Sequence, residues 1–420
     1  MELTSVYIPK LENIRAASSK LEDVASLTPL SQNFQYSNKF DCNVYFKRED
    51  LQVVRSYKIR GAYNKMSSLS IEESDKGIVC ASAGNHAQGV ALSCKLLKIN
   101  GTIYMPSPTP NQKIEQVKMF GGKFIKVVLE GDTFDDAYYA AKDECNKLEK
   151  TFIHPFNDEK VIEGQATVGL EIFNQTKHPI DYIFVAVGGG GLASGLSTVF
   201  KNLSPKTKVI GVEPEGAPSM LTSIKNGVNT KLTHIEKFVD GAAVKKVGEK
   251  TFQICKRYLH DMITVPEGKI CQTILELYNK DAIVVEPAGA LSISALDYYK
   301  EEIKGKNIVC IVSGSNNDLT RAAEISERAL LYSNLKHYFI VKFPQRAGAL
   351  KEFVAEILGP DDDITHFEYT KKTNRENGAA VVGIQLKFSD DLAPLVSRMK
   401  SHNFYGDYLN DKPNLFQFIV

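Results

Sequence analysis

Residues 182–196 have the sequence YIFVAVGGGGLASGL, and this stretch indicates how the surrounding chain folds. Tyr182–Val187 is apolar throughout, which is typical of a strand that is covered on both faces. Four glycines follow, and Leu192–Phe200 then has the character of a helix. A strand that turns through glycines into a helix is the beginning of a parallel α/β unit.

The same alternation extends over most of the chain. The other predicted strands are also apolar on both faces: Gly77–Ala81, Thr102–Met105, Phe124–Val128, Val209–Val212 and Asn307–Val312. The predicted helices between them are Ala87–Leu97, Thr133–Leu148 and Glu163–Gln175. We therefore predict an α/β architecture with parallel sheets.

The pattern changes after a predicted amphipathic helix at Asp318–Leu331. The elements beyond it follow the order strand, helix, two strands around Asn374–Gly378, helix, strand: His337–Phe343, Ala349–Leu358, His366–Lys371, Ala379–Phe388, Leu392–His402 and Leu415–Val420. This βαββαβ order predicts a ferredoxin-like α+β unit. We place the domains at residues 1–331 and 332–420.

The composition argues against several classes of function. Lysine and arginine (51) balance aspartate and glutamate (50), so no net charge favours nucleic acid or a membrane surface. We find no apolar run long enough to span a bilayer and no secretory signal, which predicts a cytoplasmic protein. The seven cysteines form no CxxC or Cys/His cluster, so disulfides and structural zinc are not expected.

The four glycines, Gly188–Gly191, are the first candidate ligand site. Successive amides at a helix start form a cradle for a phosphate. The kind of phosphate stays open, because Gly188, Gly190 and Ala193 also fit the dinucleotide fingerprint G-x-G-x-x-A. Glu213 then lies roughly 20 residues further on, where a ribose-binding acid is expected.

Two further segments carry polar candidates. Lys58, in SYKIRGA, becomes a carbonyl nucleophile if its pKa is lowered, to which the cations Arg60 and Lys47 would contribute; otherwise it is a surface lysine. Asn85, in ASAGNHAQG, lies at a turn of small residues, where it either binds a ligand oxygen or caps its own helix. His86 has no evident partner as a base, and we interpret it as structural.

Two more candidates follow predicted strands. Ser313, in VSGSN, lies at the carboxyl end of a strand, where open α/β sheets bind ligands, and its hydroxyl suits a ring nitrogen. Glu286, in VEPAG, is either a site carboxylate or a charge at a helix start.

Together and in this order, these motifs resemble the threonine dehydratase (threonine ammonia-lyase) family of fold type II pyridoxal-phosphate enzymes. FKRED, SYKIRGA, SAGNHAQG, VGGGGL, VEPAG and SGSN extend over residues 46–318. The resemblance implies two open, twisted parallel-sheet subdomains like those of the tryptophan synthase β subunit, the smaller at about residues 50–155. It favours pyridoxal 5'-phosphate over a dinucleotide, since a dinucleotide domain does not need the other motifs.

The resemblance also implies residue roles. Lys58 would carry the cofactor as a Schiff base and exchange protons at the substrate Cα, Asn85 would bind the phenolic oxygen, and Ser313 would face the pyridine nitrogen. The cofactor phosphate would be held by the backbone of Gly188, Gly189, Gly190, Gly191 and Leu192. The substrate carboxylate would be held by the backbone of Ser82, Ala83, Gly84, Asn85 and His86.

A neutral hydroxyl at the ring nitrogen makes the ring a weaker electron sink, which favours loss of a β-hydroxyl over a long-lived carbanion. The implied reaction converts L-threonine to 2-oxobutanoate and ammonia, the first step of isoleucine biosynthesis, with L-serine to pyruvate as a side activity. Ala83 replaces the serine of related racemases, which argues against racemisation. Ser219 replaces an acid of the family's cation site, so we expect no divalent metal, with Glu213 a weak candidate.

Residues 332–420 resemble the ACT-like regulatory domain of biosynthetic threonine dehydratases. Pro344–Leu350 would then bind a free amino acid, isoleucine or possibly valine, as an allosteric effector, unless the unit only dimerises. The family also implies a homotetramer. The alternatives are a serine-preferring or catabolic dehydratase and a non-catalytic, amino-acid-sensing protein that keeps the cofactor pocket.

Overall fold

The computed structural model describes residues 6–369 and 377–412. The chain divides into two compact units, Met1–Leu319 and Thr320–Val420. This division lies before the sequence-based boundary at residue 331, so Ala322–Tyr332 groups with the second unit. The reason is a contact made within that unit, where the Tyr338 hydroxyl donates to Glu327 at 2.7 Å.

Residues 6–319 of the first unit contain ten strands. They are β1 Leu30–Gln32, β2 Asn43–Arg48, β3 Ile78–Ala81, β4 Gly101–Met105, β5 Ile125–Leu129, β6 Thr151–Phe152, β7 Tyr182–Ala186, β8 Lys208–Pro214, β9 Asp261–Val265 and β10 Asn307–Val312. The runs predicted as strands all occur within a residue or two of their predicted bounds. Four strands were not predicted: β1, β2, β6 and β9. They are short or contain polar residues.

The same described range contains thirteen helices. They are α1 Leu11–Leu21, α2 Phe34–Phe40, α3 Lys58–Met66, α4 Ile71–Lys76, α5 Asn85–Leu97, α6 Asn111–Gly121, α7 Phe134–Lys147, α8 Glu159–Gln175, α9 Gly191–Leu203, α10 Ser219–Asn226, α11 Glu249–Tyr258, α12 Glu267–Asp281 and α13 Pro287–Ser294. Short 3₁₀ turns occur at Glu49–Leu51, Gly122–Phe124 and Ala295–Tyr299.

The larger sheet has the strand order β1-β2-β10-β7-β8-β9. All its pairs are parallel except β1 with β2 at the edge. Strand β10 comes last in the sequence but pairs with β2 on one side and β7 on the other. The carboxyl ends of β7 and β10 therefore lie side by side, which brings the glycine loop and Ser313 to the same edge of the sheet.

The second sheet of this unit is parallel and has four strands in the order β5-β4-β3-β6. It lies within the range predicted for the small subdomain. Both sheets have apolar cores: the larger packs Ile183, Val185 and Leu196 together, and the smaller packs Cys80, Ile103 and Val117. The predicted α/β architecture with two parallel sheets is confirmed.

Helices α8 and α9 pack closely because glycines face the neighbouring helix. A Cβ on Gly195 would lie 2.7 Å from the backbone nitrogen of Ala166, and one on Gly169 would lie 3.1 Å from the side chain of Val199. Since α9 begins at the glycine loop, this contact fixes the loop against the rest of the unit.

Among its described residues, the second unit contains a four-stranded antiparallel sheet with the order β12-β13-β11-β14. Its strands are β11 Lys336–Pro344, β12 Asp363–Tyr369, β13 Asn377–Gln385 and β14 Tyr405–Tyr408. Its helices are α14 Ala322–Tyr332, α15 Ala349–Glu352, which continues as a π-helical turn at Phe353–Ile357, and α16 Leu392–Ser401. This order is that of a ferredoxin-like unit, as predicted.

Two differences from the sequence analysis concern this unit. The fourth described strand is β14, which was not predicted, whereas the predicted strand Leu415–Val420 lies outside the described residues. The end of the predicted strand His366–Lys371 and most of the turn at Asn374–Gly378 also lie outside them.

Candidate active site

Lys58 begins helix α3 directly after a segment that is tied to the end of strand β10. Ser56 forms an isolated bridge with Gly314, and the backbone N–H of Tyr57 donates to the carbonyl of Ser313 at 3.3 Å. The chain thereby brings Lys58 beside Ser313, as the resemblance required.

The amine of Lys58 has the properties of a nucleophile. It donates to the carbonyl oxygen of Pro155 at 3.1 Å. Burial lowers the pKa of Lys58 to about 8, although the negative charge of Glu286 acts in the opposite direction. An appreciable fraction of the amine is therefore neutral at physiological pH, which attack on a carbonyl carbon requires.

Lys47 and Arg60 do not act on Lys58 as the sequence analysis expected. Arg60 forms a two-point contact with Glu49, at 2.8 Å for each bond, and also pairs with Glu171. Lys47 pairs with the same Glu171 at 2.6 Å. Both cations are thus neutralised in a buried cluster, and the pKa of Lys58 is lowered by burial instead.

The glycine loop, Gly188–Gly191, links β7 to α9. Gly190 has a φ of 90°, a left-handed conformation that favours glycine. The N–H groups of the first turn of α9, including that of Leu192, have no carbonyl partner within the helix. Together with the positive end of the helix dipole, they form a site for an anion.

Phe156 covers the glycine loop. A Cβ on Gly189 would overlap its ring, and one on Gly191 would lie 3.2 Å from its Cα and Cβ. The ring is held edge-on to that of His154 with 4.6 Å between centroids, and the Phe156 N–H donates to His154 Nδ1 at 3.2 Å. Since the adjacent Pro155 accepts from Lys58, this one turn contacts both the loop and the reactive amine.

The side chain of Asn85 lies in a hydrogen-bond network. Its Nδ2 donates to Glu286 Oε1 at 2.6 Å, and its Oδ1 accepts from Asn316 Nδ2. Asn85 is therefore not a cap of its own helix, since the residue before α5 is Gly84 and no side-chain cap bond is made there.

The segment Ser82–His86 forms the turn between β3 and α5. The N–H of Ser82 donates to the carbonyl of Tyr104 at 3.0 Å, and that of Gly84 to the Ser82 hydroxyl at 3.2 Å. The amides of Asn85 and His86, in the first helical turn, have no carbonyl partner within the helix. Of the five predicted amides, those of Ser82 and Gly84 thus already have acceptors.

Two further polar groups adjoin the site. The Ser313 hydroxyl is buried and donates to the carbonyl of Ala288 at 3.2 Å. His86 is buried with Nε2 at 2.9 Å from the carbonyl of Ile153, and burial lowers its pKa to about 3. His86 is therefore neutral, which agrees with its interpretation as a structural residue.

One cleft, with a volume of about 300 Å³ that includes open solvent, brings together four of the predicted site residues: Lys58, Asn85, Gly188 and Ser313. Its lining residues are Tyr57, Lys58, Asn85, Ala186, Gly188, Gly241, Ala242, Glu286, Ala288 and Ser313. Ala83 packs instead against the core of the small sheet. Sequence reasoning missed Gly241 and Ala242, which lie in a segment without a motif, and Phe156, whose only signal is a Pro-Phe turn after an apolar strand.

Glu213 is engaged with the protein itself. Its carboxylate accepts from the N–H groups of Met220 and Leu221 at 2.6 and 2.9 Å, at the start of α10. Burial raises its pKa to about 8. A carboxylate so occupied is not presented to a ribose, which removes the main support for a dinucleotide site. The part of the chain that the structure describes contains no cluster of three or more potential metal-ligating histidine, cysteine or acidic side chains.

These groups fit pyridoxal phosphate. The loop that admits no Cβ at Gly189 or Gly190 offers amides to a phosphate, and Lys58 supplies an amine with a lowered pKa in the same cleft. The hydroxyl of Ser313 is a neutral partner for a ring nitrogen. Fold and site together define an enzyme that uses an aldehyde cofactor.

Comparison with known proteins agrees with this class. The family model described as pyridoxal-phosphate dependent enzyme matches residues 21–314, and that of the C-terminal regulatory domain of threonine dehydratase matches residues 327–419. The chain is 56% identical over 411 residues to the L-threonine dehydratase biosynthetic IlvA of Halalkalibacterium halodurans, which covers 98% of this chain and 99% of that protein. For the protein of that name from Bacillus subtilis the identity is 55%, with 98% and 97% covered.

A solved structure shows the same relationship. The processed form of threonine deaminase isoform 2 from Solanum lycopersicum has a TM-score of 0.73 and 42% identity, covering 77% of this chain and 97% of that one. The chain therefore belongs to the pyridoxal-phosphate-dependent enzymes, in the branch of the biosynthetic threonine dehydratases with a C-terminal regulatory domain. The predicted fold type, enzyme class and cofactor are confirmed. Among the described residues, no helix is both long and apolar enough to cross a membrane.

Proposed function

We propose that the enzyme converts L-threonine to 2-oxobutanoate and ammonia, as the first step of isoleucine biosynthesis, and L-serine to pyruvate as a side activity. The observation that carries the proposal is that Lys58, Ser313 and Gly188 of the glycine loop line one cleft, in a chain whose relatives bear the name L-threonine dehydratase. Ala83 supplies no hydroxyl to the substrate, which supports elimination rather than racemisation.

In this proposal, Lys58 would hold the cofactor through its neutral amine and would accept the proton from the substrate Cα. When bound, pyridoxal phosphate supplies the aldehyde and the electron-accepting ring. The amides of Gly188–Leu192 hold the phosphate, and those at the start of α5 bind the substrate carboxylate. The Ser313 hydroxyl, which donates to the Ala288 carbonyl, would be a neutral partner for the ring nitrogen and would supply no negative charge there.

In this proposal, the group that is eliminated is the β-hydroxyl of the substrate. Removal of the Cα proton and departure of the hydroxyl give an enamine, which takes up water to yield the 2-oxo acid and ammonia. The difference between threonine and serine is one methyl group, which in general changes discrimination by about ten- to two-hundredfold.

A coupled assay for 2-oxo acids tests this function. We expect turnover of L-threonine with kcat/KM higher than that of L-serine, and no turnover by Lys58→Ala, which should fold as the wild type does because Lys58 makes one hydrogen bond. Turnover by Lys58→Ala would refute the assignment. If the wild type binds the cofactor and both amino acids without releasing 2-oxo acid, it is an amino-acid-sensing protein instead.

We further propose that isoleucine inhibits the enzyme by binding the second unit at Pro344–Leu350, with valine opposing or imitating it. The match of residues 327–419 to a regulatory-domain model supports this, as does Gly348, whose φ of 86° forms the turn ahead of α15. Gly348→Ala should weaken inhibition without changing uninhibited turnover. Gly305→Ala is a matched control, since that glycine also has a positive φ and open surroundings.

Isoleucine that leaves the kinetics of the wild type unchanged would contradict the regulatory proposal, and L-leucine controls for nonspecific effects. We also propose that the enzyme is a homotetramer and that it is located in the cytoplasm. Light scattering during size-exclusion chromatography tests the first, and cell fractionation tests the second.

A further inference from the structure

Glu286 is a buried carboxylate in the active-site cleft to which the proposed mechanism gives no role. It lies at the N-cap position of α13, but its side chain makes no capping hydrogen bond. Its exposure is 5%. A charge that served only the helix would face the free N–H groups of the first turn. The carboxylate of Glu286 is instead directed to Asn85.

The network around Glu286 fixes the orientation of the Asn85 amide. Asn316 Nδ2 donates both to the carbonyl of Val54, at 3.1 Å, and to Asn85 Oδ1. The amide oxygen of Asn85 therefore faces Asn316, and its NH₂ group faces Glu286, to which it donates at 2.6 Å. An NH₂ group has two hydrogens, so one remains for a ligand.

The surrounding backbone is shaped to admit this carboxylate. A Cβ on Gly314 would lie 2.6 Å from Glu286 Oε1, and one on Gly241 would lie 3.4 Å from the same atom. These glycines come from segments far apart in the sequence. Since a side chain at either position would crowd the carboxylate, the two glycines give Glu286 its space in the cleft.

Charged and titratable groups face Glu286 from several elements. Burial and the charge of Asp240 raise its pKa to about 7, against the hydrogen bond from Asn85 and the charge of Lys113. Glu286 in turn raises the pKa of Lys58 and of Tyr57. Since Glu286 and Lys58 line the same cleft, the charge of Glu286 acts on the protonation of the reactive amine.

We propose that Glu286 is a positioning residue: its ionised carboxylate holds the amide of Asn85 so that one N–H hydrogen points to the cofactor, and it favours a protonated amine at Lys58. The first part rests on the contact proposed between Asn85 and the cofactor. The second concerns only groups of this chain.

Two substitutions of Glu286 separate the effect of its hydrogen bond to Asn85 from the effect of its charge. Glu286→Gln keeps an oxygen that accepts from Asn85 but removes the charge, whereas Glu286→Ala removes both. Glu267→Gln is the control, since Glu267 also lies at a helix start and accepts a backbone N–H, from Gly216, but does not line the cleft. The Gln variant carries the test if the Ala variant does not fold.

The first measurement uses the full chain freed of cofactor. Acylation of Lys58, followed by mass spectrometry over a range of pH, gives the pKa of its amine. We expect Glu286→Gln to lower this pKa below that of the wild type, and Glu267→Gln to leave it unchanged. An equal pKa in the wild type and Glu286→Gln would overturn the charge effect whether or not threonine is the substrate.

The second measurement uses the holoenzyme. Glu286→Ala should alter the absorbance of the bound cofactor and lower kcat by about tenfold to a hundredfold, as expected for the loss of a hydrogen bond to a charged group. The rise in kcat/KM around pH 7 should disappear in Glu286→Gln. Combining Glu286→Ala with Asn85→Ala should add little to either single effect. Additive effects would show that Glu286 does not act through Asn85 and would overturn the proposal.

Discussion

The buried ion cluster of Arg60, Glu49 and Glu171 allows a quantitative prediction. Arg60 and Glu49 have side-chain exposures of 1% and 0%, and Glu171 has 14%. Arg60→Met keeps most of the volume but removes every hydrogen bond from the guanidinium to the two carboxylates. Glu49 then stays buried without its cation, which in general costs about 3–5 kcal/mol.

Other contacts in the structure narrow the expected loss of stability. Glu49 keeps hydrogen bonds from the Thr28 hydroxyl, at 2.6 Å, and from Gln52 Nε2, at 3.3 Å. Glu171 keeps its pair with Lys47. We therefore expect the free energy of unfolding to fall by an amount near the lower limit, about 3 kcal/mol. With a urea m-value of about 3 kcal/mol/M, the unfolding midpoint would shift by about 1 M.

Thiol labelling in urea is the appropriate assay. The chain has no tryptophan, but its seven cysteines are all buried and all lie in the first unit, from Cys42 to Cys310. Pulsed labelling therefore reports unfolding of this unit without interference from the second. Lys118→Met, which removes an exposed pair with Glu115, is a control that should not change the midpoint measurably.

A second variant tests the physical reason. If the cost arises from an unpaired buried charge, Glu49→Gln combined with Arg60→Met should be more stable than Arg60→Met alone, although it has lost more ionic groups. Arg60→Met within about 1 kcal/mol of the wild type would refute the reasoning. So would a double variant that is less stable than the single one.

Three further predictions concern the cofactor site. The rate of cofactor uptake should rise with pH through about 8, because the neutral fraction of Lys58 grows as pH approaches its pKa, and stopped-flow absorbance should show this rise; a rate independent of pH between 6 and 9 would contradict it. Gly189→Ala should weaken cofactor binding in equilibrium dialysis, because the new Cβ overlaps Phe156, and Phe156→Ala should partly restore it; if the double variant binds no better, the overlap is not the cause. Ser313→Ala should retain the cofactor but change the ratio of elimination to other products in chromatography, and an unchanged ratio would argue against a contact with the ring nitrogen.

The elements that the sequence predicted correctly are those with strong local patterns. Tyr182–Ala186 and Asn307–Val312 are apolar on both faces and lie in the middle of the sheet, where burial reinforces propensity. The glycine loop was found because four successive glycines lie between an apolar strand and a helix, and Gly190 has a positive φ that favours glycine. Local chemistry therefore sufficed for the architecture and for the glycine loop.

The parts that the sequence did not predict depend on partners distant in the chain. Lys47 is fully buried and pairs with Glu171, on α8, a contact that the sequence does not show; its charge therefore misled the interpretation of Lys58. Glu286 appeared equally suited to a helix start, since the sequence does not show that its carboxylate meets Asn85. Phe156 contacts the glycine loop through tertiary packing, which no sequence motif indicates.

The place of strand β10 has a consequence for the synthesis of the enzyme. This strand is the last of its sheet to leave the ribosome, yet it fills the gap between β2 and β7. Until it is inserted, Ser313 is missing from the cleft, and the segment before Lys58 lacks the bridge from Ser56 to Gly314 and the hydrogen bond from Tyr57 to Ser313. A nascent chain is therefore expected to acquire vitamin B6 only late in translation, and a transcript truncated before codon 307 should yield a product that stays colourless.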